Sequence, residues 1–112
     1  MIILFANSKL QKEFSDDKKL KQTRGDPQAK LIRQRLSELK AANTLADMWT
    51  LPAARCHELK KNLKGHISLD LDDPYRLIIR PSGNDVQYRD DRSLVRDSVT
   101  GVMVEGVKNT HE

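Results

Sequence analysis

Residues 55–81 read RCHELKKNLKGHISLDLDDPYRLIIRP, and the way this stretch divides decides the fold. Leu69 and Leu71 alternate with Ser68 and Asp70. In YRLIIR, Tyr75, Leu77 and Ile79 fall on one side, with Arg76, Ile78 and Arg80 on the other. Successive strand side chains point to opposite faces, so both runs predict half-buried strands. Asp72-Asp73-Pro74 between them has the composition of a tight turn, which makes the pair an antiparallel hairpin. Upstream, His57, Lys60, Lys61 and Lys64 crowd positive charge and an imidazole at the entrance to the first strand.

The flanking sequence supplies the rest of the domain. MIILFA is short, apolar and β-branched, and predicts a first strand buried on both faces. Ser8 and Gln11 form an S-x-x-Q capping box that opens a helix, with Leu10 and Phe14 on one face. That helix is expected to run to Arg24-Gly25, where glycine can close it. Asp26-Pro27 opens a second helix, with an acid as cap and proline at the first helical position. Ala29, Ile32, Leu36 and Leu39 make its core stripe, and Lys30, Arg33, Arg35 and Lys40 are assigned to its surface. Trp49 and Leu51 read as core anchors, and Pro52 breaks the chain ahead of the strands. Residues 81–98 lack periodicity and predict a surface loop with one helical turn. VTGVMVEGV returns to strand character, its two glycines marking a bulge or a close backbone approach. The order β-α-α-β-β-β-β gives an α+β fold: an antiparallel sheet with an N-terminal helical hairpin packed on one face.

With 112 residues the chain is expected to form one domain, residues 1–112. No apolar run is long enough to cross a bilayer, and MIILFANSKL lacks the features of a signal peptide, so a cytoplasmic protein with no membrane partner is expected. Cys56 has no partner in the chain, which excludes a disulfide framework, and a half-buried strand cysteine is expected. The net charge of +4 is uneven. Residues 1–42 carry ten Lys/Arg against five Asp/Glu, and residues 81–112 carry four against six. A basic front half points to a polyanionic partner.

If Leu69, Leu77 and Ile79 point inward, Ser68, Asp70, Arg76 and Arg80 point outward. His57 and Lys60 lie on or just after the preceding strand, and Lys61 and Lys64 in its turn, so all can converge on the exposed face and its rim. Such a face has the parts needed for phosphodiester cleavage: cations for the developing phosphorane charge, and a group titrating near neutrality to move protons. The same residues also suit a solvated turn and a packed histidine. His57, His66 and His111 have no tight ligand spacing and no accompanying thiolates, so no metal and no cofactor is expected.

The segment LPAARCHELKKNLKGHISLDLDDPYRLIIRP, residues 51–81, resembles the central segment of HigB-like toxins of the RelE/ParE superfamily, where LP..R.HELKG...G..SL.L..PYRLIF.P is typical. The resemblance extends to the first strand, the helical hairpin, the closing strand and a polar tail with a terminal histidine; residues 82–98 fall outside it. It implies a toxin of a type II toxin–antitoxin system, an mRNA interferase that cuts message in the ribosomal A site by attack of the RNA's own 2′-hydroxyl. It also implies a HigA-like helix-turn-helix antitoxin as partner, through which alone operator DNA is bound. The same resemblance implies His57, Lys60, Arg76 and His111 as the catalytic residues, and the neighbouring cations Arg55, Lys61, Lys64 and Arg80 are expected to hold RNA backbone. The typical tail ends in DYH, and this chain has Asn109-Thr110-His111. The alternative is a superfamily member with little or no catalysis that binds a target, as the ParE branch does with gyrase, or its antitoxin alone.

Overall fold

The computed structural model describes residues 1–110, and His111 lies outside them. Strand β1 (Ile2–Phe5) leads into helices α1 (Ser8–Phe14), α2 (Asp17–Arg24) and α3 (Asp26–Ala41). After two 3-10 turns come β2 (His57–Glu58), β3 (Ile67–Asp70), β4 (Tyr75–Ser82) and β5 (Gly101–Asn109). They form one five-stranded sheet in the order β1-β5-β4-β3-β2. Among the described residues no helix is long and apolar enough to cross a membrane.

The expected hairpin of helices is present, with its first arm in two pieces. Asn7, not Ser8, caps α1: its backbone is extended and its Oδ1 accepts from the Leu10 N–H at 2.8 Å. Ser8 is already helical, so the expected S-x-x-Q box does not form. Asp16 interrupts the arm because its carboxylate accepts from the Lys18 and Lys19 N–H groups and starts α2 afresh. Gly25, at φ 81°, closes α2 as expected.

The corner between α1 and α2 is pinned by Glu13, whose Oε1 accepts from Arg24 Nε at 2.8 Å and Thr23 Oγ1 at 2.9 Å. Burial alone would raise this carboxyl's pKa; the Arg24 and Thr23 hydrogen bonds outweigh it and hold the pKa below the usual carboxylate range. A depressed folded-state pKa means that the stabilisation is complete above the unfolded value of about 4.3 and is lost as pH falls through the folded value. Glu13→Gln is therefore expected to lower stability by about 1–2 kcal/mol at pH 7. The gap to wild type should close in thermal melts taken between pH 5 and 3; a gap that stays constant would assign the effect to packing.

The sheet departs from expectation at β1, which pairs in parallel with β5, so the sheet is mixed and not wholly antiparallel. A parallel pair needs a long connection between its strands, and here the helices and the other three strands supply it. As an edge strand covered on one face, β1 leaves Ile2 67% and Leu4 46% exposed, against the reading that both faces are buried. A bulge in β5, where consecutive Ile78 and Ile79 face Gly106 and Val104 and leave Glu105 as the extra residue beside Gly106 at φ 136°, is the irregularity that the β5 glycines predict.

The core lies between the helices and one sheet face: Leu20, Ala29, Ile32 and Leu39 meet Ile67, Leu69, Leu77, Ile79, Val102 and Val104. Leu45 and Met48 are the fully buried anchors of the connecting turn. Trp49 and Leu51 are only partly buried, and Arg96 stacks on the Trp49 ring at 4.0 Å. Arg35, assigned to the surface by its charge, is buried at 3% exposure. Its Nε donates to the Asp70 carbonyl at 2.8 Å, Nη2 to the Ala53 carbonyl at 2.9 Å and Nη1 to Glu38 at 3.0 Å. One guanidinium fork thus ties α3 to β3 and to the turn ahead of β2.

Candidate functional site

The sheet face away from the helices carries the candidate site. Pairing places His57 opposite Ser68, Ser68 opposite Ile78 and Ile78 opposite Gly106 in one row. The next row holds Asp70, Arg76 and Lys108. Strands are about 4.8 Å apart, so the His57 and Arg76 backbones, with one strand between them, are roughly 10–12 Å apart. Long side chains can span that gap across a bound phosphodiester.

This face is not the open surface that alternation alone suggests. Ser68 and Ile78 have no exposure although they point away from the main core. They are flanked on the same face by ion-paired side chains. Asp70 sits between two arginines, its Oδ2 accepting from Arg55 Nε at 2.9 Å and its Oδ1 lying 3.0 Å from Arg76 Nε. The second contact is an ion pair whose angles fall outside those of a hydrogen bond. Arg76 Nη2 also reaches Asp73 at 3.3 Å and Nη1 donates to the Tyr75 carbonyl. Arg80 pairs with Glu105. The Asp70 hydrogen bond and charge raise the Arg55 pKa further above its already high value. Sequence reasoning placed Asp70 outward and gave it no role, and it left Lys108 out; strand register brings both beside Arg76.

His57 Nδ1 lies 3.0 Å from the Arg55 carbonyl oxygen. A carbonyl only accepts, so in this contact Nδ1 is the donor. Arg55 supplies this carbonyl from left-handed backbone, φ 41° and ψ 52°, a conformation few non-glycine residues adopt. Lys60, Lys61 and Lys64 lie past the end of β2, on the turn before β3, and line a groove with Tyr88 and Arg92 from the 87–95 loop. Asn109 ends β5 opposite Tyr75, one position from Arg76, and Thr110 follows it. His111 is outside the described residues. Cys56 is buried at 8% exposure and its thiol is pushed up to about 12 by desolvation, so it holds its proton at neutral pH.

The mixed five-stranded sheet thus carries an N-terminal helical hairpin on one face and arginine, lysine and histidine on the other, an α+β architecture. Residues 3–91 match the HigB-like toxin family, described as RelE-like toxins of the type II toxin–antitoxin system HigB. The chain belongs to this family and is a RelE/ParE superfamily toxin. Solved structures share the fold. In the YoeB-YefM complex from Staphylococcus aureus the matching chain is 14% identical with a TM-score of 0.56, over 99% of this chain and 98% of that one. The YoeB/ParE toxin from Agrobacterium tumefaciens is 13% identical with a TM-score of 0.57, over 99% and 100% of the two chains. No curated protein matches the sequence significantly.

Proposed function

We propose that this toxin is a ribosome-dependent mRNA endoribonuclease that acts in the cytoplasm on message in the ribosomal A site. The observation that carries this reading is the shared face: His57, its Nδ1 against the Arg55 carbonyl, stands in the row beside the Asp70–Arg76 row. In the reaction the 2′-hydroxyl of the nucleotide before the cut attacks the adjacent phosphate. His57 Nε2 takes the hydroxyl proton. The new bond closes a 2′,3′-cyclic phosphate as the bond to the 5′-oxygen breaks, and that oxygen takes a proton, for which His111 is the candidate donor. Arg76 and Lys60 offset the negative charge that develops on the phosphorane, and Arg55, Lys61, Lys64 and Arg80 hold the RNA backbone. No metal or cofactor enters these steps.

The partner is an antitoxin, for which the YoeB-YefM complex among the structural neighbours is the support. We assign it to the HigA-like helix-turn-helix class, with operator DNA bound through it alone. The test is induction of the toxin in growing cells with message ends mapped by primer extension. Growth arrest with cuts phased to codons, both reversed by the co-expressed antitoxin, is expected. Arrest with intact message would overturn the nuclease reading in favour of a binding toxin, with gyrase the first target to assay.

A further inference from the structure

The groove at the β2 edge has a volume of about 530 Å³, the size of a site for a nucleotide-scale ligand. One wall is Glu58 to Lys61 with Lys64 and Gly65; the other is Tyr88 with Asp91, Arg92 and Ser93. The second wall is an ordered miniature hairpin. Tyr88 pairs with Leu94, the Val95 N–H donates to the Gln87 carbonyl at 2.9 Å, and Arg89 and Ser93 are joined at 2.8 Å. Leu94, at 4% exposure, anchors it to the core, while Tyr88 stands 57% exposed. Asp91 is held within this turn, its carboxylate accepting from the Ser93 N–H at 2.9 Å and hydroxyl at 2.6 Å.

Two of the groove's cations stand in costly backbone. Among the described residues the non-glycine positions at positive φ are Arg55, Lys61 and Arg92, with Lys61 at 56° and Arg92 at 73° on opposite walls. Such conformations persist where the surroundings impose them, and they cluster at functional sites. An exposed aromatic ring among cations in a groove is the arrangement that holds single-stranded nucleic acid, because any base can stack on the ring while the cations track the phosphates. Lys60, Lys61, Lys64 and Arg92 outnumber Glu58 and Asp91 in this groove.

We propose that this groove is a single-stranded RNA site in which Tyr88 stacks a base and Lys61, Lys64 and Arg92 hold the flanking phosphates. The inference deepens the nuclease reading by adding a substrate-binding hairpin, residues 87–95, outside the sheet face that holds His57 and Arg76.

The test is fluorescence anisotropy of a labelled 12-nucleotide RNA made uncleavable by 2′-O-methyl groups, with the same sequence as a duplex for comparison. Tyr88→Ala is expected to weaken the single strand roughly 5- to 100-fold and Tyr88→Phe to stay within about twofold of wild type. Arg92→Gly and Lys61→Gly relieve left-handed backbone, so they should melt at or above the wild-type temperature. Each should still weaken RNA binding and lower the salt slope by about 0.7. Equal affinity of Tyr88→Ala and wild type would overturn the proposal. So would equal losses on single strand and duplex, or groove variants that spare RNA and weaken antitoxin binding. Binding does not require cutting, so the two readings fail separately. Tyr88-dependent binding without message cleavage leaves the site and removes the nuclease; cleavage indifferent to Tyr88 does the reverse.

Discussion

Replacing Arg35 with methionine is expected to destabilise the fold by about 3 kcal/mol, the largest stability effect of any single substitution considered. Methionine fills similar volume and removes no other contact, so the loss isolates the guanidinium. The carbonyls of Asp70 and Ala53 would lose their donors in a buried setting, and Glu38 would lose its counter-charge at 3.0 Å. In a domain of this size that corresponds to a fall of roughly 10–20 °C in melting temperature. Arg35→Lys should recover little of it, because one ammonium cannot reach three acceptors in the plane that the fork serves. Urea denaturation of the three proteins checks the magnitude; a loss under about 1 kcal/mol for methionine would mean that water replaces the fork. The effect reaches the site, since Arg35 grips the backbone of Asp70, whose carboxylate faces Arg55 and Arg76.

Arg76→Ala is expected to lower the cleavage rate by about 10²- to 10³-fold, the range for removing one preorganised charge donor from a reaction that develops negative charge. Asp70→Asn should move activity the other way. Asp70 and Asp73 occupy the guanidinium groups that a phosphate would use, with the Arg76 side chain only 11% exposed. Making Asp70 neutral leaves Arg55 and Arg76 one charge less compensated. RNA affinity should rise about tenfold at low salt, with the gain shrinking as added salt screens it. Single-turnover cleavage and binding titrations on both variants separate the effects. A drop in affinity for Asp70→Asn would show that its charge positions the arginines more than it competes with RNA.

Much of this was legible along the chain because its physics is local. The alternation of β4, the core stripe of Ala29, Ile32 and Leu39, Gly25 at the end of α2 and the β5 bulge all follow from neighbouring residues. Arg35 was misread although its spacing was informative. It lies three residues after Ile32 and four before Leu39, in register with buried Gln28, so the helical period placed it inward while its charge argued outward. The apolar run of β1 could not reveal an edge strand, because its neighbour is the last strand of the chain. Asp70 faced outward as alternation required, but its grip on Arg55 and Arg76 depends on cross-strand register and on a turn fixed by Arg35. Tyr88 and the lysine turn are about 25 residues apart and meet only through tertiary packing. The roles of His57 and Arg76 come from the family resemblance, and the structure supplies their shared sheet face and the competing carboxylate.

The most direct measurement is cleavage by the purified toxin on a programmed ribosome with an A-site codon that carries a single 2′-deoxy substitution, nucleotide by nucleotide. Substitution at one nucleotide should abolish the cut at its 3′ side, unsubstituted message should end in a 2′,3′-cyclic phosphate or its 3′-phosphate hydrolysis product opposite a 5′-hydroxyl, and Arg76→Ala should suppress both products. Undiminished cutting of the deoxy message, or 5′-phosphate ends, would contradict 2′-hydroxyl attack and with it the assignment of this sheet face as the catalytic centre.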